Sequence, residues 1–203
     1  DKHGIKTFAD VVNKKAPVRV AINRRGNMDG DVSAMVMSLM GATPEKIKSW
    51  GGQVVHAASK EIVSLTLDRR IDLANFGIAY NHPRIREIAK GIKPVLLDIP
   101  ANVAAKVASA FGGAPCKIKA GEYKWSSSGA NSVCIGAVIV VNSSMDNQTA
   151  YNLAKAMVEQ IEEFKTKSHR LIKKFAQPKF MAVKAAAPFH EGAAKYYKEK
   201  GLM

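Results

Sequence analysis

Between Pro17 and Ile99 short apolar runs alternate with stretches whose apolar residues recur every three or four positions. Val18-Arg19-Val20-Ala21-Ile22 predicts a strand. Asp29-Gly30-Asp31 offers N-cap chemistry, and a helix follows with Val32, Met35, Val36, Leu39 and Met40 on one face, stopped by Gly41. The order then repeats. Gln53 to Ala57 predicts a strand, and Ser59 opens a helix with Val63 and Leu67 on its apolar side. Ile71 to Phe76 predicts the next strand, and Pro83 starts a helix with Ile85, Ile88 and Ala89. Val95-Leu96-Leu97 predicts a further buried strand, before a helix from Pro100 with Val103, Val107 and Phe111.

Strands alternating with helices predict an α/β fold: a mostly parallel sheet flanked by helices. Right-handed crossovers then gather the loops after the strands along one edge. Those loops are residues 23–30, residues 77–83 and the stretch around Asp98. Beyond them the pattern changes. Lys117 to Tyr123 and Ser132 to Val141 predict two extended segments joined by a flexible loop, Trp125 to Asn131. A long helix is expected from about Asp146, with Leu153, Met157, Ile161 and Phe164 as its stripe, then shorter helices broken at Pro178 and Pro188. The division expected is 1–141 as one lobe with hinge strands and 142–203 as C-terminal helices belonging to a second lobe.

Composition narrows the class. The 203 residues are 47% hydrophobic and 24% charged, which is ordinary for a globular chain. The net charge of +14 raises nucleic acid as a partner, but the lysines are scattered and no run of five or six basic residues occurs. No nucleic-acid partner is expected. No apolar stretch approaches the ~20 residues that cross a bilayer. The chain opens Asp1-Lys2-His3 without a signal peptide, so the leader of an exported protein would have been removed or would lie outside this sequence. Cys116 and Cys134 allow one disulfide or two buried free thiols, and both remain open. No His/Cys cluster has metal-ligand spacing, so no metal and no cofactor are expected.

Five pieces in order resemble a TRAP-transporter solute receptor of the TAXI type. They are Ile5 to Val11 before the first strand, Asp31 to Ala42, Ile71-Asp72-Leu73-Ala74, Lys119-Ala120-Gly121-Glu122-Tyr123, and the tail Phe189-His190-Glu191-Gly192-Ala193-Ala194 through Tyr196-Tyr197-Lys198-Glu199. Glu191 and Lys119 stand where that family has proline, and Arg24-Arg25-Gly26-Asn27 replaces its Gly/Ser-rich loop. The resemblance implies a type II periplasmic-binding-protein fold, here lacking the N-terminal part of lobe one. It implies an extracytoplasmic receptor, without catalysis, that captures a small organic anion and delivers it to membrane permease subunits. It also implies a structural role for His190.

The expected ligand residues are Arg24, Arg25, Gly26 and Asn27 in the first loop, Tyr80 and Asn81 in the second, and Tyr123. A helix start with free N–H groups favours a carboxylate or phosphate. A neighbouring arginine adds a bidentate clamp. Asn81 donates and accepts, and Tyr80 offers a flat face and a hydroxyl. His82 is expected as an exposed loop residue and His56 as a packed strand residue. No nucleophile elbow, P-loop or dinucleotide fingerprint is present. The alternatives are a ligand-sensing module of a cytoplasmic regulator and a basic nucleic-acid-binding protein.

Overall fold

A computed structural model describes residues 3–75, 77–168, 173, 176–183 and 187–203. The chain divides into two compact units, Asp1–Ile135 and Gly136–Met203.

The first unit is built on a parallel sheet of three strands, β1 (Arg19–Ile22), β2 (Gln53–His56) and β3 (Leu73–Asn75), in the order β2-β1-β3. Register pairs Val20 with Val54 on one side and with Leu73 on the other. Alternate side chains of β1 go to opposite faces. Val20 and Ile22 join Phe8 and Val11 of α1 (Phe8–Asn13), Met37 of α2 (Met28–Leu39) and Ile47 of α3 (Pro44–Ser49). Ala21 turns the other way, onto Ile62 of α4 (Ser59–Leu67) and Ile71. The helix α5 (Pro83–Gly91) lies beside α4, so tightly that a Cβ on Gly91 would stand 2.5 Å from Leu67 Cδ2. The sheet is thus covered on both faces, α1–α3 on one and α4–α5 on the other.

On the outer side of α2, Val36 packs with Val103 and Val107 of α6 (Ala101–Ala110). The same cluster reaches Val133 on an antiparallel pair, β4 (Ala114–Ile118) and β5 (Ala130–Cys134). Cys116 and Cys134 form a disulfide across this pair, with Cα atoms 5.7 Å apart. Neither is buried, so the buried-thiol alternative falls.

Several expected elements move. Val95 to Leu97 form no strand, and Val95 is 65% exposed; prolines at 94 and 100 bracket the run and leave it no ladder to join. The expected strand Ser132 to Val141 ends at Cys134, leaving Val138, Ile139 and Val140 exposed. Residues Lys119 to Tyr123 are turns rather than strand. The α2 cap is Asn27, one turn before the expected Asp29 to Asp31, and α2 buries Ser33, Val36 and Met37 while Leu39 faces solvent. The expected end of the β3 segment, Phe76, lies outside the described residues.

In the second unit the expected long helix is two, α7 (Asn147–Glu159) and α8 (Ile161–Lys167), parted at Gln160. The last helix, α9 (Glu191–Glu199), packs on α7. Tyr196 and Tyr197 are buried against Ala154, and Tyr196 meets Tyr151 edge-on at 5.3 Å. Space for two tyrosines requires small residues opposite, so Ala150 and Ala154 are buried while Leu153 faces solvent. His190 caps α9: its Nδ1 accepts the Gly192 N–H at 3.3 Å and its Nε2 donates to the Met145 carbonyl at 3.0 Å.

Candidate functional site

The strand order makes one place on the sheet special. After β1 the chain turns toward the α2 face, and after β3 it turns toward the α5 face. The segments that follow the last register pair, Ile22 with Asn75, therefore diverge and frame a crevice, where open α/β sheets take ligands.

Asn23 stands at the end of β1 and is 6% exposed. Its amide nitrogen donates to Asp29 Oδ2 and to Ser59 Oγ, each at 3.3 Å, and its Oδ1 accepts the Arg24 N–H at 2.8 Å. The Asn23 carbonyl accepts from His56 Nδ1 at 3.2 Å. A carbonyl only accepts, so this contact places the His56 proton on Nδ1. The Asn23 side chain thus ties the end of β1 to the first turns of α2 and α4, and its backbone carbonyl holds the end of β2.

The close approach of α2 depends on Gly30. A Cβ there would stand 2.5 Å from the Arg24 carbonyl oxygen and 2.8 Å from that of Asn23. From the β3 side, a Cβ on Gly77 would stand 2.7 Å from Asp29 Oδ1. The Ser33 hydroxyl donates to the Asn75 carbonyl at 3.3 Å, fastening α2 to β3. Asp29 is therefore held at the crevice, with Oδ2 taken by Asn23 and Oδ1 turned to Gly77.

Arg24, Arg25, Gly26 and Asn27 lie together on the rim of this crevice, all exposed. Gly26 adopts φ +75°, and the space beside it is open. The Asn27 side chain accepts the Asp29 N–H at 2.9 Å and so serves α2 as its cap. The guanidinium groups of Arg24 and Arg25 supply positive charge in front of a helix start of the same sign.

Tyr80, Asn81 and Tyr123 form a second group. The Tyr80 hydroxyl donates to the Glu122 carbonyl, and the Asn81 N–H donates to the Tyr123 hydroxyl at 3.4 Å. The Tyr80 and Tyr123 rings lie 5.0 Å apart, and Trp125 stacks on Tyr123 at 4.8 Å. Tyr123 is 8% exposed, and burial raises its phenol above the ordinary value. Asn81 takes φ +55°, which asparagine tolerates better than most residues. The three clamp the β3–α5 loop to the β4–β5 connection. His82 caps α5, its Nδ1 accepting the Arg84 N–H at 3.2 Å.

Sequence reasoning passed over Asn23, Ser59, Gly77 and Trp125 as site residues. The composition of residues 125–131 predicts a flexible loop, yet Trp125 stacks on Tyr123 and the next residue, Ser126, is buried with its hydroxyl donating to the Ser128 carbonyl at 2.8 Å. The alternation Tyr123-Lys124-Trp125 was the available signal.

The Asp98 stretch does other work. Its carboxylate accepts the Asn131 N–H at 2.6 Å and the Asn131 amide at 3.3 Å. Beside it is an open hollow of about 400 Å³, lined by Lys117, Lys119 and Asn131. With its acid already satisfied, the hollow offers a solute two exposed lysines and little enclosure. The β1/β3 crevice has instead a buried polar side chain, Asn23, at its base and the ends of β1, β2 and β3 around it.

Among the described residues no group of three His, Cys, Asp or Glu side chains is placed to hold a metal ion, and no helix is long and apolar enough to cross a membrane. A family model described as the NMT1-like family matches residues 1–201. No curated protein matches the chain.

Proposed function

The chain belongs to the NMT1-like family, a periplasmic-binding-protein-like family of solute receptors, and on that premise we propose that it captures a small organic anion at the β1/β3 crevice. In this reading it is the TAXI-type receptor of a TRAP transporter. Residues 142–203 then belong to a second lobe, and the partner is a set of membrane permease subunits. The observation that carries the reading is the grouping of Arg24 and Arg25 on the rim, beside the first turn of α2, over a crevice whose floor is the buried Asn23.

The ligand class follows from the charges present. Two guanidinium groups suit a carboxylate, which each can hold bidentately. Asp29, held between Asn23 and Gly77, suits an ammonium group nearby. A carboxylate with or without an amino group, an acidic amino acid included, satisfies both. Tyr80, Asn81 and Tyr123 shape the far wall. Binding performs no chemistry; it shifts the population toward a closed form that the membrane partner recognises. The Cys116–Cys134 disulfide supports an oxidising, extracytoplasmic setting.

The test is a calorimetric titration of the chain with glutamate, 2-oxoglutarate and succinate, repeated with Arg24→Ala/Arg25→Ala. The expected result is saturable binding of at least one, weakened more than tenfold in the double variant. Equal binding by both proteins would remove the arginines from the site, and no binding of any of the three would remove the carboxylate from the reading.

A further inference from the structure

The sheet has a second edge, opposite the crevice, where the strands begin and the helices end. Parallel topology decides what lies there. The chain enters β1 through Lys15, following α1. It enters β2 through the last turn of α3, which carries Lys48. It enters β3 through Arg69 and Arg70, following α4. The helix α5 runs back from the crevice edge, and its end, Gly91, is pressed against Leu67 at the end of α4. That contact brings Lys90 and Lys93 to the same edge. All six cations are exposed, and none is in an ion pair among the described residues.

Acidic residues do not balance them. Asp72, at the start of β3, is spent on Arg19: the guanidinium Nη2 lies 2.7 Å from Oδ1 and Nε lies 2.8 Å from Oδ2. The other Nη2 bond, 2.8 Å to the Arg69 carbonyl, fixes the turn that presents Arg69 and Arg70. Asp68, Glu45 and Glu87 remain nearby on the chain, three carboxylates against six cations. Asp29, Asp31 and Glu61 belong instead to the first turns of α2 and α4, at the crevice edge. Cations at helix C-termini do complement the dipole, but that need is met within the last turn and by one charge per helix. Paired arginines at 69 and 70, and lysines at both 90 and 93, exceed it.

We propose that this basic edge docks on a membrane surface carrying anionic lipid, with the crevice facing away. A row of cations presented by three strand entries and one helix end fits a flat, diffuse negative surface. It lacks a groove-filling helix or an aromatic row for bases. The disulfide favours an oxidising compartment, where lipid headgroups are a more accessible extended anion than nucleic acid. Each basic residue held at an anionic bilayer surface raises partitioning by a factor of a few, and the effect decays within a Debye length. Strands of four residues separate the two edges by only about 13 Å, so a docked receptor keeps its solute site close to the bilayer.

The experiment is sedimentation of the chain with vesicles of phosphatidylcholine containing 30 mol% phosphatidylglycerol, against phosphatidylcholine alone. The expected result is binding to the anionic vesicles only, abolished by 0.5 M salt. Arg69→Ser/Arg70→Ser/Lys90→Ser/Lys93→Ser should weaken it at least tenfold. A control removing four exposed lysines elsewhere, Lys106, Lys124, Lys155 and Lys198, should weaken it less than threefold. Circular dichroism checks that both variants fold; a single charge reversal, Lys93→Glu, serves if the first does not. Equal losses in the edge and control variants would overturn the proposal in favour of net charge alone. Tighter binding to a 20-base-pair DNA duplex than to the vesicles at the same salt would overturn the choice of partner. Neither outcome bears on anion capture at the crevice, which the calorimetric titration tests separately.

Discussion

The Asn23 amide donates to the Asp29 carboxylate across 3.3 Å, from the end of the central strand to the first turn of the helix that follows it. The same nitrogen reaches Ser59, and the same side chain accepts from the Arg24 backbone. A buried amide with every polar atom engaged leaves partners stranded when it is removed. Asn23→Ala is expected to cost about 1–3 kcal/mol, the penalty for unsatisfied buried polar groups. At roughly 3 °C per kcal/mol for a chain of this size, thermal unfolding should fall by about 3–9 °C. Asn23→Asp should be worse at neutral pH, because it sets a second carboxylate against Asp29, and it should recover in part as pH falls and one acid takes a proton. Melting curves at pH 7 and pH 4 check both; equal melting temperatures for wild type and Asn23→Ala would mean that the three bonds add no net stability.

Gly26 lies in the loop before α2 and Gly30 in the first turn of α2, four residues on, and the two answer to different constraints. A methyl group at Gly30 meets backbone atoms at 2.5 and 2.8 Å, which cannot swing aside. At Gly26 it meets nothing within 4 Å and only the φ of +75° resists it. Gly26→Ala should therefore cost about 1–2 kcal/mol, the left-handed penalty. Gly30→Ala should cost more and also push α2 away from Asn23, so anion affinity falls along with stability. Chemical denaturation of the two variants, with titration of glutamate or succinate, separates the cases. A Gly26→Ala protein weaker in both respects than Gly30→Ala would contradict the packing argument.

Much of the first unit can be read from local pattern, because β1, β2, β3, α2, α4, α5 and α6 each bury a face against the sheet or against one another. The helix α3 is short, and its only local sign is its start, Thr43-Pro44-Glu45: the Thr43 side chain caps it and proline takes the first turn. Three apolar residues at 95–97 were too few to separate a strand from a partly exposed connection. Of the stripe expected on the long helix, Ile161 is buried and Met157 and Phe164 are half-buried, but Leu153 faces solvent, because α9 brings two tyrosines that demand alanines at 150 and 154. For the site, strand-then-helix order was enough to place Arg24 to Asn27 at the edge. Asn23 was not legible, since its burial depends on Ser59, 36 positions away, and a polar residue at a strand end gives no local sign of being enclosed.

Arg19 and Asp72 hold the opposite edge and give stability a dependence on acid. The Arg19 guanidinium, bonded through Nε and Nη2, is the main cause that lowers the Asp72 carboxyl below its ordinary value; partial burial opposes it and the Arg19 N–H assists. The folded value lies below the unfolded one of about 3.9. The pair's contribution is then fully present above about pH 4 and drains away as pH falls through the folded value. Asp72→Asn should lower the melting temperature at pH 7, and the gap to wild type should close between about pH 4 and pH 2. A gap constant over that range would show that the bond does not favour the ionised carboxylate.

Cys116 and Cys134 are 18 positions apart in sequence and bridge the β4–β5 pair diagonally, since the ladder sets Cys116 against Ser132 and Cys134 against Ala114. A covalent tie of that span removes loop freedom from the unfolded chain worth about 3 kcal/mol. The native pair does not stand on the bond alone: Val133 packs with Val107 of α6, and five register pairs hold the ladder. Reduction should therefore leave the protein folded at room temperature yet lower its unfolding temperature by about 10 °C. Cys134→Ser should behave as the reduced wild type and should no longer respond to reductant. Calorimetric scans with and without phosphine reductant read this directly. Cys116 and Cys134 lie outside the anion site, so glutamate or succinate affinity should change by less than a factor of three on reduction while the unfolding temperature falls. A reduced protein that melts within 2 °C of the oxidised one would show that the ladder and α6 alone hold the hairpin.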